Sequence, residues 1–193
     1  MASEQLPTVV RRRDLGDLGL SRYRLYELAR TGEYEQIAPG IYARAGVLDD
    51  TTAGLASVAL RKPGATLCLL SALSLHDLTD EIPRASDVAL PRGERTLSTT
   101  YAKVRWHYFD PATFDIGRQH HHLVDGIAIG VYSPERTITD AFRLRHELGA
   151  DLANEALRRW LSRSASQPAE LLTIAKGFPK AYSAVRAALE ILL

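Results

Sequence analysis

Three histidines in a row, His120-His121-His122, are the first residues here whose type invites chemistry. In an extended strand alternate residues face one way, so His120 and His122 would converge while His121 points elsewhere. Two imidazoles with no cysteine, and Asp125 as the nearest acid, make a thin metal-ligand set. A polar outward strand face is the plainer reading, and no metal is expected. His76-Asp77 lies near Asp80 and Glu81, but adjacent helical residues do not face each other. Asp140 and Glu147 are seven apart and would share a helix face. A two-carboxylate nuclease would also need a strand-borne acid–x–lysine element, and no convincing one is present. Cys68 sits alone between Leu67 and Leu69-Leu70, which excludes an intramolecular disulfide or a cysteine zinc site. Its apolar setting suits a small buried hydrophobe better than a thiolate nucleophile. There is no G-x-S-x-G elbow, P-loop or G-x-G-x-x-G. The chain is therefore expected to be no enzyme and to hold no cofactor.

A different chemistry is written between Ser21 and Arg44. Ser21 is a good helix N-cap, its hydroxyl placed to accept from a first-turn N–H. Leu25, Leu28 and Ala29 fall on one face at helical spacing and should be core. The opposite face carries Tyr23, Tyr26, Glu27 and Arg30, flanked by Arg22 and Arg24. Arginine can take guanine edges bidentately, and tyrosine hydroxyls reach phosphates or bases. Gly32 is a helix stop. Tyr34 to Ile37 and Ile41 to Arg44 then alternate around Pro39-Gly40 as a hairpin does. Upstream, Leu15 and Leu18 suit a short helix crossing the first, with Gly19 in the turn, and Arg11-Arg12-Arg13 could grip phosphates. A helix followed by a small hairpin is the order of a winged helix-turn-helix. Residues 1–47 hold seven arginines against six acids, so the fold must segregate the charge for phosphate binding to be strong.

The elements around this module read as follows. The chain has 193 residues, 46% hydrophobic and 24% charged, with a formal net charge of +1, which is ordinary globular composition. No apolar run approaches the ~18 residues of a membrane span, and Met1 to Pro7 has no signal core, so a cytoplasmic protein is expected. Thr51-Thr52 should cap a helix to about Leu60, stopped by Lys62-Pro63-Gly64. A helix started by Ser71 should carry Ala72, Leu73, Leu75 and Leu78. Strands are expected at Val88–Leu90 and Lys103–Phe109. In the latter, Val104, Trp106 and Tyr108 face one way and Arg105, His107 and Phe109 the other. With Lys103 this run could form a stacking platform for single strands, but a core strand is the simpler reading. His120–Val124 and Ile127–Tyr132 form a hairpin across Asp125-Gly126. Ser133-Pro134-Glu135 opens a helix, and Asp151–Leu161, Pro168–Lys176 and Pro179–Leu193 continue as helices. The expected architecture is α+β. A winged helix over residues 1–47 precedes a mixed domain over 48–193, with a small, mostly antiparallel sheet and a helical C-terminal third.

Four segments in order carry a family resemblance: Leu18-Gly-Leu-Ser-Arg-Tyr-Arg-Leu25 through Pro39-Gly-Ile-Tyr42, Leu67 to Asp80, Ala89 to Gly93, and Val131 to Asp140. Together they resemble the AbiEi antitoxins, halves of type IV (abortive-infection) toxin–antitoxin pairs. The resemblance implies a winged helix that represses its own operon by binding operator DNA. It also implies a C-terminal domain that neutralises a cognate nucleotidyltransferase-type toxin. It places DNA contact on Ser21, Arg22, Tyr23, Arg24, Tyr26 and Arg30, on Arg44 in the wing, and on Arg11, Arg12 and Arg13 for backbone grip. The alternative reading is a stand-alone regulator whose second domain senses or dimerises. The chain departs from the family at its front, where relatives carry a full first helix. About ten residues precede Arg11 here, and Pro7 interrupts them. Replacing Arg22, Arg24 and Arg30 together by alanine is expected to abolish operator binding and spare neutralisation.

Overall fold

The computed structural model describes residues 6–193, and Met1 to Gln5 lie outside the described residues. The chain forms two compact units: Met1–Pro63 with Leu97–Val104 and His121–Ile129, and Gly64–Thr96 with Arg105–His120 and Gly130–Leu193.

In the first unit the order is β1 (Val9–Arg11), α1 (Arg22–Arg30), β2 (Tyr34–Ala38), β3 (Ile41–Arg44) and α2 (Asp50–Arg61). The strands make an antiparallel sheet in the order β1-β3-β2, with Val10 opposite Tyr42 and Glu35 opposite Ala43. Ser21 caps α1 as its sequence implies, its Oγ accepting from Arg24 N at 3.0 Å. The positive φ of Gly32 and of Gly40 stops the helix and turns the wing, conformations that L side chains rarely adopt. Leu15 and Leu18 do not lie on a regular helix. Arg12–Asp14 is a single 3-10 turn, continued by bonds such as Leu20 N to Leu15 O at 2.9 Å. Two glycines in seven residues deny a longer helix.

The apolar face of α1 is covered without a helix at residues 6–11. Leu25 and Leu28 are buried with Val10, Leu15 and Tyr34, and Leu6, Leu18, Leu20 and Tyr42 close that core. Burying leucines of this kind contributes roughly 1.5–3 kcal/mol each. The extended front is held by Tyr34 Oη donating to Pro7 O at 2.5 Å and Arg44 Nη2 donating to Leu6 O at 2.7 Å. Asp125, in the turn Asp125-Gly126, accepts from Thr8 N and Val9 N. The unit extends beyond residue 47 to include α2. That helix is capped by Asp49 rather than by Thr51 or Thr52, with Thr52 N donating to Asp49 Oδ1 at 3.0 Å.

The second unit contains β4 (Thr66–Leu67), α3 (Leu69–Leu75), β5 (Ser86–Pro91), β6 (Val104–Phe109), β7 (Arg118–Val124) and β8 (Ile127–Tyr132). It continues through α4 (Pro134–Arg143), α5 (Arg145–Leu148), α6 (Ala150–Leu161), α7 (Pro168–Ala175) and α8 (Pro179–Leu192). Val104 and the turn-proximal residues of β7 and β8 fall in the first unit. The strands form a sheet in the order β6-β5-β4-β8-β7. This sheet is mixed rather than simply antiparallel, because β4 runs parallel to β8, with Thr66 beside Gly130. Helix α3 begins at Leu69, two residues before Ser71. The Ser71 hydroxyl instead accepts from Asp87 N at 2.8 Å. Helices α3, α4, α6, α7 and α8 bury Leu73, Ile138, Leu157, Trp160, Leu171 and Val185 in one core.

Candidate nucleic-acid interface

Cap, stop and apolar face together fix which side of α1 meets solvent. With Leu25 and Leu28 inward, Tyr23 is 74% and Tyr26 66% exposed. Large aromatic side chains this bare on a short helix are unusual for a surface without a partner. Arg22 and Arg24 are exposed beside them, and neither is ion-paired with an acid among the described residues. Arg22, Tyr23, Arg24 and Tyr26 are thus all exposed on α1, and Arg22 lines a groove together with Pro39 and Gly40 of the wing turn.

The remaining candidates divide by what already holds them. Arg30 forks onto Glu27 within the helix, with Nε to Oε1 at 3.2 Å and Nη2 to Oε2 at 2.9 Å. Arg11 pairs with Asp14, and Arg13 lies 3.6 Å from the same carboxylate. Arg44 is turned inward to Leu6 O and lies over the Tyr34 ring at 5.9 Å. Ser21 is occupied as the cap. Arg12 is exposed, its backbone N donating to Gly40 O of the wing turn at 2.8 Å. One cation absent from the sequence reading, Arg61 in the last turn of α2, also faces this region. A basic residue at a helix C-terminus is so common that nothing local marked it.

The other chemical candidates are structural where the structure places them. His76 Nε2 lies 2.7 Å from Tyr132 O, and His122 Nε2 accepts from Gly126 N at 3.2 Å. No group of three or more His, Cys, Asp or Glu side chains among the described residues is placed to hold a metal. Asp140 and Glu147 share no face: α4 ends at Arg143, Asp140 is buried between Arg136 and Arg143, and Glu147 is exposed on α5. Phe109 is buried against Tyr132, centroids 5.8 Å apart, so the run from Lys103 to Phe109 is no continuous stacking platform. Burial pushes the Cys68 thiol well above its ordinary value, which suits an inert core residue.

Residues 3–45 match the family described as transcriptional regulator, AbiEi antitoxin. The similarity to that family is confined to this amino-terminal module of the 193-residue chain. The AbiEi match takes in α1, the wing and the whole three-stranded sheet, and stops before α2. No curated protein matches the sequence. Among solved structures, the chain is similar to the RV2827C protein from Mycobacterium tuberculosis, at 21% identity and a TM-score of 0.54. The likeness covers 94% of this chain and 76% of that one. At that identity the likeness shows a shared fold alone. No helix among the described residues is long and apolar enough to cross a membrane.

Proposed function

We propose that this protein is a DNA-binding autorepressor and antitoxin. In this reading α1 enters the major groove of operator DNA, and the chain neutralises a cognate nucleotidyltransferase-type toxin. The observation that carries the DNA-reading half is the open face of α1, where Tyr23 and Tyr26 stand exposed beside the arginines 22 and 24. A short nine-residue helix with one face in the core and the other so presented has the build of a recognition helix. Arg22, Arg24 and the two tyrosines read or position on the DNA, and Arg30 contributes least because Glu27 holds its fork. The toxin-directed half rests on the antitoxin family that residues 3–45 match.

The test combines two readouts on the full chain and on the R22A/R24A/R30A variant. Binding to the promoter segment upstream of its own gene is measured by fluorescence anisotropy. Growth rescue is measured against a co-expressed neighbouring nucleotidyltransferase-like gene. The wild type should bind and rescue, and the variant should rescue without binding. Loss of rescue in a folded variant overturns the division of labour. Binding without rescue by the wild type moves the reading to a stand-alone regulator.

A further inference from the structure

A groove of about 570 Å3 lies beside the recognition helix within the first unit, and five of the side chains that line it are arginines: Arg11, Arg12, Arg13, Arg22 and Arg61. No acidic residue is among its lining residues. The wing turn at Pro39-Gly40 also lines it. Arg12 N donating to Gly40 O at 2.8 Å joins the 3-10 turn to the wing turn, so this part of the lining is held in place before any ligand arrives. Two of the five are already engaged, since Asp14 pairs with Arg11 and approaches Arg13. Asp14 brings one negative charge against those two, and Arg12, Arg22 and Arg61 have no acid beside them in the lining.

Arg61 is the member that the amino-terminal family match does not contain. It closes α2, sixteen residues past the matched segment. Its Nη1 donates to Ser98 O at 3.2 Å, which orients the guanidinium and leaves its other N–H groups to meet an anion. The planar fork suits a phosphodiester oxygen pair. The groove adjoins the N-terminal end of α1, whose unpaired N–H groups and dipole also favour negative charge. Its openness and its lining from both α1 and the wing turn fit a backbone that continues past it rather than a small enclosed anion.

We propose that α2 lends Arg61 to a phosphate clamp, completed by Arg12 and Arg22, that grips the sugar–phosphate backbone of duplex DNA next to the site read by α1. The inference rests on the DNA-binding reading above and extends the contact surface beyond the family-matched segment. The clamp carries no base information; it sets affinity and register, while α1 sets sequence preference.

Arg61→Ala and Arg61→Lys in the full chain test it, with Arg24→Ala as the comparison on the reading face. Anisotropy titrations use the promoter duplex and a scrambled duplex of equal length, across a salt series. Each lost phosphate contact lowers the slope of log K against log salt by about 0.9, so from ~50 to ~200 mM salt R61A should lose about 3.5-fold less affinity than the wild type does. R61A should weaken both duplexes by the same factor, R61K should retain most of the binding, and R24A should weaken the promoter duplex more than the scrambled one. Circular dichroism establishes that the variants are folded. A wild-type protein that binds neither duplex overturns the DNA-binding reading and the clamp with it. Wild-type binding with an unchanged slope in R61A overturns the clamp alone. An R61A variant that loses affinity on the promoter duplex only assigns Arg61 to base reading and also overturns it.

Discussion

Replacing Arg136 should be among the most damaging single changes in the second unit. The side chain is fully buried on α4. Its Nε donates to Asp140 Oδ2 at 2.9 Å, and its Nη1 donates to Thr113 O at 2.8 Å and Ile116 O at 2.6 Å. The guanidinium lies 4.1 Å from the Tyr132 ring centroid and 4.3 Å from that of Phe178. Alanine would take this donor from two partly buried carbonyls and open a gap between two rings, while Asp140 would keep the Arg143 Nε at 3.0 Å. Breaking a buried pair from one side costs about 3–5 kcal/mol. Against a typical margin of about 5–15 kcal/mol, that is a large share. Urea denaturation followed by far-ultraviolet circular dichroism reads the change as a shift in midpoint at constant slope. A double variant, R136M/D140L, removes both charges and should lose less than the sum of R136M and D140L, because the two residues act as one unit. An R136A loss below ~1 kcal/mol, or strict additivity in the double variant, would refute the reasoning.

Two further outcomes bear on the first unit. Hydrogen bonds from the Thr52 hydroxyl, then from its backbone N–H, hold the Asp49 carboxyl below the usual carboxylate range. A lowered folded-state value means the cap's charge-dependent contribution is complete above the unfolded value of about 4 and lost as pH falls through the folded one. Asp49→Ala should cost about 1 kcal/mol at neutral pH, and Asp49→Asn should keep most of it and flatten the acid side of a stability–pH profile. At Gly54 on α2 an added Cβ would sit 2.2 Å from Ala102 Cβ and 2.7 Å from Ala102 N. Gly→Ala in a helix ordinarily stabilises by up to ~1 kcal/mol; here overpacking should reverse the sign and destabilise by about 1–3 kcal/mol. A stabilised G54A would contradict the docking of residues 99–102 on α2.

Much of the site was legible because its signals are short-range. Ser21, the Leu25/Leu28 spacing, Gly32 and the Pro39-Gly40 turn each act within one helix or hairpin, and each stands where its local chemistry puts it. The same holds for Asp125-Gly126, whose two positive φ values make the hairpin turn, and for Ser133-Pro134 at the start of α4. The amphipathic pattern alone determined that Tyr23 and Tyr26 would face outward, because a helix with an inward Leu25 and Leu28 has no other place for them.

What only the tertiary structure decided is which charges are available. Seven arginines in residues 1–47 look alike in sequence, yet Arg11, Arg30 and Arg44 are engaged by Asp14, Glu27 and Leu6 O, while Arg12, Arg22 and Arg24 stand open. Arg30 and Glu27 are three apart, so their pairing was accessible in principle; Arg44 meets a backbone carbonyl 38 residues away, which no local pattern encodes. Nonlocal pairing also made β4 and β8 parallel and joined residues 97–104 and 121–129 to the first unit. It likewise carried Arg61 into a groove with Arg12 and Arg22. Helix caps and turns are set by the energies of neighbouring residues, whereas the engagement of a charge depends on what the folded chain brings within a few ångströms of it.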